Sequence, residues 1–143
     1  MPLPEPKPAL VIRYAYLWHN EAENGQEEGL KERPCTIILS RKEKNGLELV
    51  TVLPVTHTAP DNRGDAIAIP ADTAKRLGFD HEQSWVVISE YNQFVWPGPD
   101  IRPVPFGDQQ KWEYGYIPAK LYDRIKNAMI QRLLDKNIIG GSR

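Results

Sequence analysis

The stretch "RPCTIILSRKEKNGLELVTVLPVT", residues 33–56, decides the fold of this chain. Its two halves, 35–39 and 49–55, are rich in β-branched residues and have the length of ordinary strands. The dipeptide Asn45-Gly46 between them is the strongest short signal for a tight reversal. We therefore predict an antiparallel hairpin, in which the start of the first strand lies beside the end of the second.

Arg33 and Thr56 are expected at the open end of this hairpin. Pro34 biases Arg33 toward an extended backbone, and because proline lacks an N–H it suits the first residue of a strand. Pro54 is expected to end the pairing of the second strand, so that Thr56 and His57 lie at its exit. An arginine fork beside a hydroxyl group binds phosphate well, although an Arg-Pro pair is also an ordinary way to begin a strand.

Further strands are predicted on both sides of the hairpin. Residues 9–17 are rich in β-branched and aromatic side chains that alternate between two faces. Residues 66–70 and 84–89 are short apolar runs of the same kind. Residues 93–96 are expected to return beside 84–89 after a turn at 90–92. These segments make the chain mainly β.

Two helices are predicted. A short helix near 71–78 ends at Gly78, a residue type that is common just after helices. A long helix near 117–137 carries Pro118 in its first turn, where proline is well tolerated. An apolar stripe at helical spacing runs along the long helix and consists of Leu121, Tyr122, Ile125, Met129 and Leu133.

The order of these elements indicates a mainly β fold with helices, of the α+β class. Several short strands covered by one long helix are typical of a small barrel or a strongly curved sheet. The length of 143 residues suits one domain, 1–143, with a proline-rich tail at 1–8 and a flexible tail at 138–143. The content of 41% hydrophobic and 26% charged residues is typical of a soluble globular protein.

The chain shows no pattern of membrane insertion or export. No apolar run approaches the roughly 20 residues that a membrane-spanning helix needs. The first ten residues contain prolines where a signal peptide has an apolar core. The single cysteine, Cys35, lies in a predicted strand and is interpreted as a small buried hydrophobic residue in a reducing compartment. We expect a cytoplasmic protein with no membrane partner.

The charges are segregated along the chain. The net charge of −1 argues against a surface that grips nucleic acid everywhere. Residues 1–32 contain six acidic and three basic side chains. Residues 118–143 contain six basic and two acidic ones, so a local basic patch remains possible. This distribution predicts two electrostatically different faces. A solvated basic helix face is the simpler interpretation of the C-terminal segment.

Several common catalytic motifs are missing from the sequence. It contains no glycine-rich phosphate loop, no His/Cys spacing of a metal site and no Gly-x-Ser-x-Gly turn. The three histidines, His19, His57 and His81, are scattered, and each alone is more typical of a surface residue than of a ligand. We therefore expect no metal and no cofactor.

The order and spacing of two motifs resemble the PemK/MazF/Kid family of toxins from type II toxin–antitoxin modules. The motifs are "EEGLKERPCTIILS", residues 27–40, and "VLPVTHT", residues 52–58. They place an acidic, glycine-containing loop before Arg-Pro and an apolar strand, and a Pro-x-Thr at the end of the next strand. The resemblance covers residues 9–70, and the C-terminal helix occupies the position of the helix in that family.

The resemblance implies a small SH3-like β-barrel that forms a homodimer and cleaves single-stranded messenger RNA without a metal. In that reaction the ribose 2′-hydroxyl attacks the adjacent phosphorus and leaves a 2′,3′-cyclic phosphate. The family also implies a cognate antitoxin with an acidic or amphipathic tail as partner. Contact with DNA is expected only through the complex with this antitoxin.

The same resemblance assigns roles to residues of this chain. Arg33 would neutralise charge on the phosphoryl oxygens, and Thr56 would hold a non-bridging oxygen. Glu28 matches the acid that precedes the arginine in some members and is a candidate base, with His57 as a second candidate. The loop before Arg33 is longer than is usual, so the nearby acids Glu27 and Glu32 compete with Glu28. Further RNA contacts are assigned to Lys31, Ser40, Thr58 and Arg63.

Two other functions remain open at this point. A toxin of the same fold can act on DNA gyrase without being an enzyme, through the end of its C-terminal helix. An inactive family member would serve as a module that binds protein or nucleic acid. The segment 95–115 is longer than in compact members, and its Trp96 and Trp112 either stack on bases or pack against the protein itself.

Overall fold

The computed structural model describes residues 3–20, 32–79, 83–105 and 111–142. These residues form nine strands, two helices and a 3₁₀ turn at Arg63–Asp65. The strands are β1 Leu10–Ala15, β2 Glu32–Lys42, β3 Glu48–Thr56, β4 Ala66–Ile69, β5 Ser84–Val87, β6 Glu90–Val95, β7 Ile101–Arg102, β8 Glu113–Tyr116 and β9 Ile139–Ser142. The helices are α1 Ala71–Arg76 and α2 Ala119–Leu134. The prediction of a mainly β fold of the α+β class is confirmed.

The strands form one sheet in the order β4-β5-β3-β2-β1-β7. In addition, β6 pairs with β3 and β9, and β8 pairs with β1. The pairing of β6 with β9 is parallel, and the other pairings between named strands are antiparallel. Within the described ranges the hydrogen-bonded order does not return from β7 to β4, so the sheet is not closed into a barrel.

The predicted hairpin is confirmed as β2 and β3, paired from Cys35 opposite Pro54 to Lys42 opposite Glu48. Its turn is built by the expected residues, because Gly46 has a φ of +85°, a conformation that glycine adopts without a steric penalty. The Asn45 side-chain oxygen accepts a hydrogen bond from the Leu47 N–H at 3.1 Å.

Apolar side chains cover both faces of the central strands, because successive residues of a strand point to opposite sides. One face carries an aliphatic layer, in which Leu53 and Val55 of β3 pack with α1 and α2. The other face carries an aromatic layer around Tyr14, Tyr16 and Phe94, with the rings of Tyr14 and Phe94 stacked at 4.5 Å.

Helix α2 confirms the predicted long helix and packs against the aliphatic layer through Leu121, Ile125 and Met129. Leu133 was expected to continue this stripe, but it is 47% exposed. The last turn is instead attached by Arg132, whose guanidinium donates to an Asp65 carboxylate oxygen at 2.7 Å. No helix in the described part of the chain is long and apolar enough to cross a membrane.

The prediction of a turn at 90–92 is wrong. These residues begin β6, which pairs with β3 rather than with β5, and Asn92 lies opposite Val52. The polar residues were interpreted as a turn, yet the Asn92 side chain is buried and is satisfied by the backbone of Leu17. Because the Leu17 backbone satisfies its hydrogen-bonding groups, the Asn92 side chain can be buried in a strand and does not need the exposed position of a turn residue.

The prediction of a flexible tail at 138–143 is contradicted for residues Ile139–Ser142, which form β9. The chain reverses after α2 at Lys136, which has a φ of +56°. Ile139 then donates its N–H to the Ser89 carbonyl at 3.1 Å, and β9 lies parallel to β6. Backbone hydrogen bonds therefore fix a segment that has few apolar side chains to bury.

Candidate functional site

The open end of the hairpin brings Arg33 and Thr56 to the same end of the sheet. In the register of β2 and β3, Cys35 lies opposite Pro54. Arg33 and Thr56 each lie two positions further toward this end, one at the start of β2 and the other at the end of β3. The antiparallel geometry inferred from the sequence therefore holds for the backbone.

The expectation that Pro54 ends the pairing of β3 needs correction. Pairing with β2 stops there, but β3 continues for two residues, and Thr56 lies opposite Trp85 of β5. Proline has no N–H to donate, so it suits the last pair of the ladder between β2 and β3. Thr56 is thus held on a paired strand rather than on a free loop.

Arg33 lies within β2, which begins one residue earlier at Glu32, so Pro34 is not the first residue of the strand. Its backbone lies opposite Tyr14 of β1. The guanidinium carbon lies 4.8 Å from the centre of the Trp18 ring, in a cation–π contact. Within the described residues, the Nε atom of Arg33 is buried and has no hydrogen-bond partner.

Thr56 is half-buried, and its hydroxyl oxygen accepts the backbone N–H of Thr58 at 3.1 Å. A hydroxyl group has one donor and two acceptor positions, so this contact leaves its O–H able to donate. His57 and Thr58 follow the strand and are exposed. The end of β3 therefore presents a hydroxyl and an imidazole in consecutive positions.

The other predicted RNA contacts are dispersed. Ser40 lies roughly 20 Å along β2 from Arg33, at about 3.3 Å per residue, and its hydroxyl donates to Glu48 at 3.0 Å. Arg63 is exposed in the 3₁₀ turn. Glu27, Glu28 and Lys31 lie outside the described residues. Glu32 is exposed and lies 3.7 Å from the Arg102 guanidinium.

Both tryptophans considered for base stacking are partly buried. Trp96 and Trp112 pack against the aromatic layer, and the rings of Trp96 and Phe94 are 6.1 Å apart. This packing agrees with the interpretation that the two side chains pack against the protein itself. It leaves Trp18, which contacts the predicted arginine, as the aromatic residue most directly tied to the site.

Two residues of β6 support this end of the sheet, and neither was predicted from the sequence. Asn92 is 3% exposed, and its side-chain amide accepts from the Leu17 N–H and donates to the Leu17 carbonyl, both at 2.9 Å. Glu90 accepts from the Tyr16 hydroxyl at 3.1 Å and from the His19 N–H at 3.0 Å. One signal in the sequence could have indicated that Asn92 is buried. It lies two residues before the apolar Phe94, and residues two apart in a strand point to the same face.

Burial controls the protonation of two side chains near this end. Burial raises the pKa of the Cys35 thiol far above its usual value, and the positive charge of Arg33 offsets only part of this effect. Burial, and then the charge of Glu90, raise the pKa of the Tyr16 hydroxyl. Both groups are therefore neutral at physiological pH, and Cys35 is poorly suited to act as a nucleophile.

A small cavity of about 70 Å³ lies next to the segment that follows β1. It is lined by Leu17, His19, Glu90 and by the glycines of β9. Sites for drug-sized ligands occupy roughly 300–1,000 Å³, so this cavity is small for a nucleotide.

No group of three or more His, Cys, Asp or Glu side chains suited to a metal ion occurs among the residues that the structure describes. The chain matches no protein-family model, and no curated protein sequence is significantly similar to it.

Proposed function

We propose that this chain is a toxin of the PemK/MazF/Kid type and an endoribonuclease that cleaves single-stranded messenger RNA without a metal. The observation that carries the proposal is the common position of Arg33 and Thr56 at the open end of the β2–β3 hairpin. The type of reaction is inferred from the resemblance of residues 27–40 and 52–58 to the family motifs. The two motifs can act together because the hairpin register puts them at the same end of the sheet.

The proposal includes an SH3-like barrel as the finer description of the fold. Support comes from β1, which pairs with β2 on one side and with β7 and β8 on the other. Support also comes from β3, which pairs with β2, β6 and β5 along its length. Strands that change partners in this way are typical of strongly bent sheets.

In the proposed reaction, the 2′-oxygen forms a bond to phosphorus and gives up its proton to a base. The bond from phosphorus to the 5′-oxygen breaks, and the leaving oxygen takes up a proton. Arg33 stabilises the charge on the phosphoryl oxygens, and Thr56 donates a hydrogen bond to one of them. Glu28 and His57 remain the two candidates for the base.

The state of Arg33 supports a role in binding an anion. A buried donor without a partner costs about 1–3 kcal/mol, so such groups in a folded protein need an explanation. Contact with the Trp18 ring, 4.8 Å from the guanidinium carbon, restrains the position of the group without using its hydrogen-bond donors. A phosphate group supplies two oxygens with matching geometry.

The test is to incubate the purified chain, free of any antitoxin, with single-stranded RNA in EDTA. We expect cleavage products with 2′,3′-cyclic phosphate and 5′-hydroxyl ends. Loss of cleavage on chelation would overturn the metal-free mechanism. Absence of cleavage together with inhibition of DNA gyrase would favour the non-enzymatic toxin, and absence of both would favour an inactive binding module.

The proposal also concerns assembly and partners. We propose a cytosolic homodimer, since two-fold pairing is the commonest form of oligomer. Its partner is an antitoxin whose acidic or amphipathic tail becomes ordered on binding, and DNA is contacted only through that complex. Sedimentation equilibrium at micromolar concentration should give twice the mass of the chain, and a stable monomer would contradict the dimer.

A further inference from the structure

We infer that Trp18, held in place by Asn92 and Glu90 of β6, is a positioning residue for the guanidinium group of Arg33. Its consequence for RNA cleavage rests on the proposed function, whereas its effect on Arg33 does not. A chain of contacts runs from Asn92 and Glu90 of β6, through the segment after β1, to Arg33 at the open end of the hairpin.

The first step is the fixation of the backbone beyond the end of β1. Asn92 contacts the N–H and the carbonyl of Leu17 with two hydrogen bonds of 2.9 Å, as a neighbouring strand would. The Glu90 carboxylate accepts the N–H of His19 at 3.0 Å. Trp18 lies between these two anchored residues, so its backbone has little freedom although β1 has already ended.

The second step is the orientation of the indole ring. Trp18 packs against the aromatic layer, and its ring meets that of Tyr16 edge to face at a centroid distance of 5.1 Å. The Tyr16 hydroxyl donates to Glu90, the carboxylate that also holds His19. Glu90 is therefore linked both to the ring, through Tyr16, and to the backbone, whereas Asn92 holds the backbone only.

The third step is the contact with Arg33, whose guanidinium carbon lies 4.8 Å from the centre of the Trp18 ring. A free arginine side chain has many rotamers, and most of its conformations would not point at a phosphate. Contact with a fixed ring selects a narrow set of conformations and leaves the planar fork pre-organised. Trp18 therefore acts through Arg33 and needs no contact with RNA.

The placement is tested by NMR of the Arg33 Nε–Hε group in the full-length chain. In the wild type the ring current of Trp18 should displace the Hε resonance from its position in a flexible arginine. Trp18→Leu should abolish the displacement, and Trp18→Phe, which keeps an aromatic face, should retain part of it. Trp96→Leu is the matched control, since it removes an indole from the same layer and should leave the resonance displaced.

A second arm tests the route through β6. Asn92→Asp keeps the size and the acceptor for Leu17 but loses the donor to its carbonyl, and it should move the Arg33 resonance toward the position found in Trp18→Leu. If Asn92→Asp does not fold, Glu90→Gln serves instead, with an expected smaller change in the same direction. An Arg33 resonance that is unchanged in Trp18→Leu overturns the inference, whether or not the chain cleaves RNA.

The kinetic consequence is measured only after cleavage by the wild type has been established. Trp18→Leu should lower kcat by about 10- to 100-fold with little change in KM, because a misplaced charge weakens transition-state stabilisation. Trp18→Phe should recover most of the lost rate. Trp18 would be a structural residue only if the rate fell in both Trp18→Leu and Trp18→Phe while the Arg33 resonance stayed at its wild-type position.

Discussion

The two ends of the β2–β3 hairpin are built in different ways. The reversal at the turn end is formed by neighbours in the sequence: Gly46 donates to Glu43 at 3.0 Å, and Ser40 donates to Glu48, eight residues away. Strand β6 also borders this end, where the Trp96 N–H donates to the Glu48 carbonyl at 2.9 Å. The open end is held by distant residues, such as Asn92 on Leu17, 75 residues apart. The reversal of the chain at the turn therefore needs only near neighbours, whereas the side-chain arrangement at the end that we propose to be functional needs distant ones.

This difference predicts that the two ends will respond differently to substitution. Local contacts at the turn stabilise the hairpin and carry no ligand groups that we identify. At the open end, β1, β2, β3 and β6 all contribute, so the arrangement of Arg33 depends on strands that are far apart in the sequence. Rigid elements hold reactive groups more accurately than isolated loops do.

The largest expected effect is that of Arg33. Arg33→Lys should fail almost as badly as Arg33→Ala, because lysine keeps the charge but lacks the planar fork. Removal of such a donor lowers the rate by about 10²–10³, and the melting temperature should change little. RNA cleavage and thermal unfolding are measured on the same samples.

Arg41→Ala is the matched control at the turn end of the same strand. Arg41 is exposed and forms an ion pair with Glu43 at 3.0 Å, so its loss should alter neither cleavage nor stability appreciably. Wild-type cleavage by Arg33→Lys would contradict the proposed role. Reduced stability with intact cleavage would show that Arg33 has only a structural role near the start of β2.

A smaller effect is expected for Thr56→Val, which keeps the shape of the side chain and deletes the hydroxyl. Loss of a hydrogen bond to a charged oxygen should lower kcat about tenfold or more, with nearly unchanged melting temperature. Thr36→Val on β2 provides the comparison. The Thr36 hydroxyl is buried and, among the described residues, has no partner, so its replacement should stabilise the chain by about 1 kcal/mol without affecting cleavage.

The pH dependence of stability should reflect burial near the open end. Cys35 and Tyr16 have pKa values raised above their usual 9.0 and 10.0, so the unfolded chain loses these protons first as the pH rises. The contribution of these two groups to the free energy of unfolding is therefore fully present below about pH 9. Above that pH it falls, at up to about 1.4 kcal/mol per pH unit for each group. Urea unfolding between pH 7 and 11 measures the slope.

Cys35→Ala should be less stable at pH 7 but should show a smaller decline between pH 9 and 10, where the cysteine contributes first. An identical slope in this variant and in the wild type would mean that the thiol titrates alike in the folded and unfolded chains. Tyr16 should account for the steeper loss above pH 10, since its usual pKa is one unit higher.

The smallest effect is expected at the turn. Gly46→Ala should destabilise the chain by about 1 kcal/mol, because alanine is strained at a φ of +85°, while nothing lies within 4 Å to clash with the added methyl group. RNA cleavage should be unchanged at temperatures where the variant is folded. A loss of cleavage by a folded variant would show that the two ends of the hairpin are coupled.

The sequence by itself determined the parts of the fold that depend on near neighbours. The Asn45-Gly46 turn, the strands beside it and helix α2 follow from backbone preferences and from the periodicity of apolar residues. The antiparallel register then brings Arg33 and Thr56 to one end, because a tight turn fixes which residues face each other. Neither inference needs knowledge of a distant contact.

Only the tertiary structure decided the partners of the strands and the surroundings of Arg33. The sequence does not reveal that β3 changes partners after Pro54, that residues 90–92 form a strand, or that β9 pairs with β6. Each of these features depends on hydrogen bonds between residues that are far apart in the sequence, such as those between the Asn92 side chain and the Leu17 backbone. The position of Trp18 over Arg33 has the same origin, because two anchors from β6 hold a segment that has no strand pattern of its own.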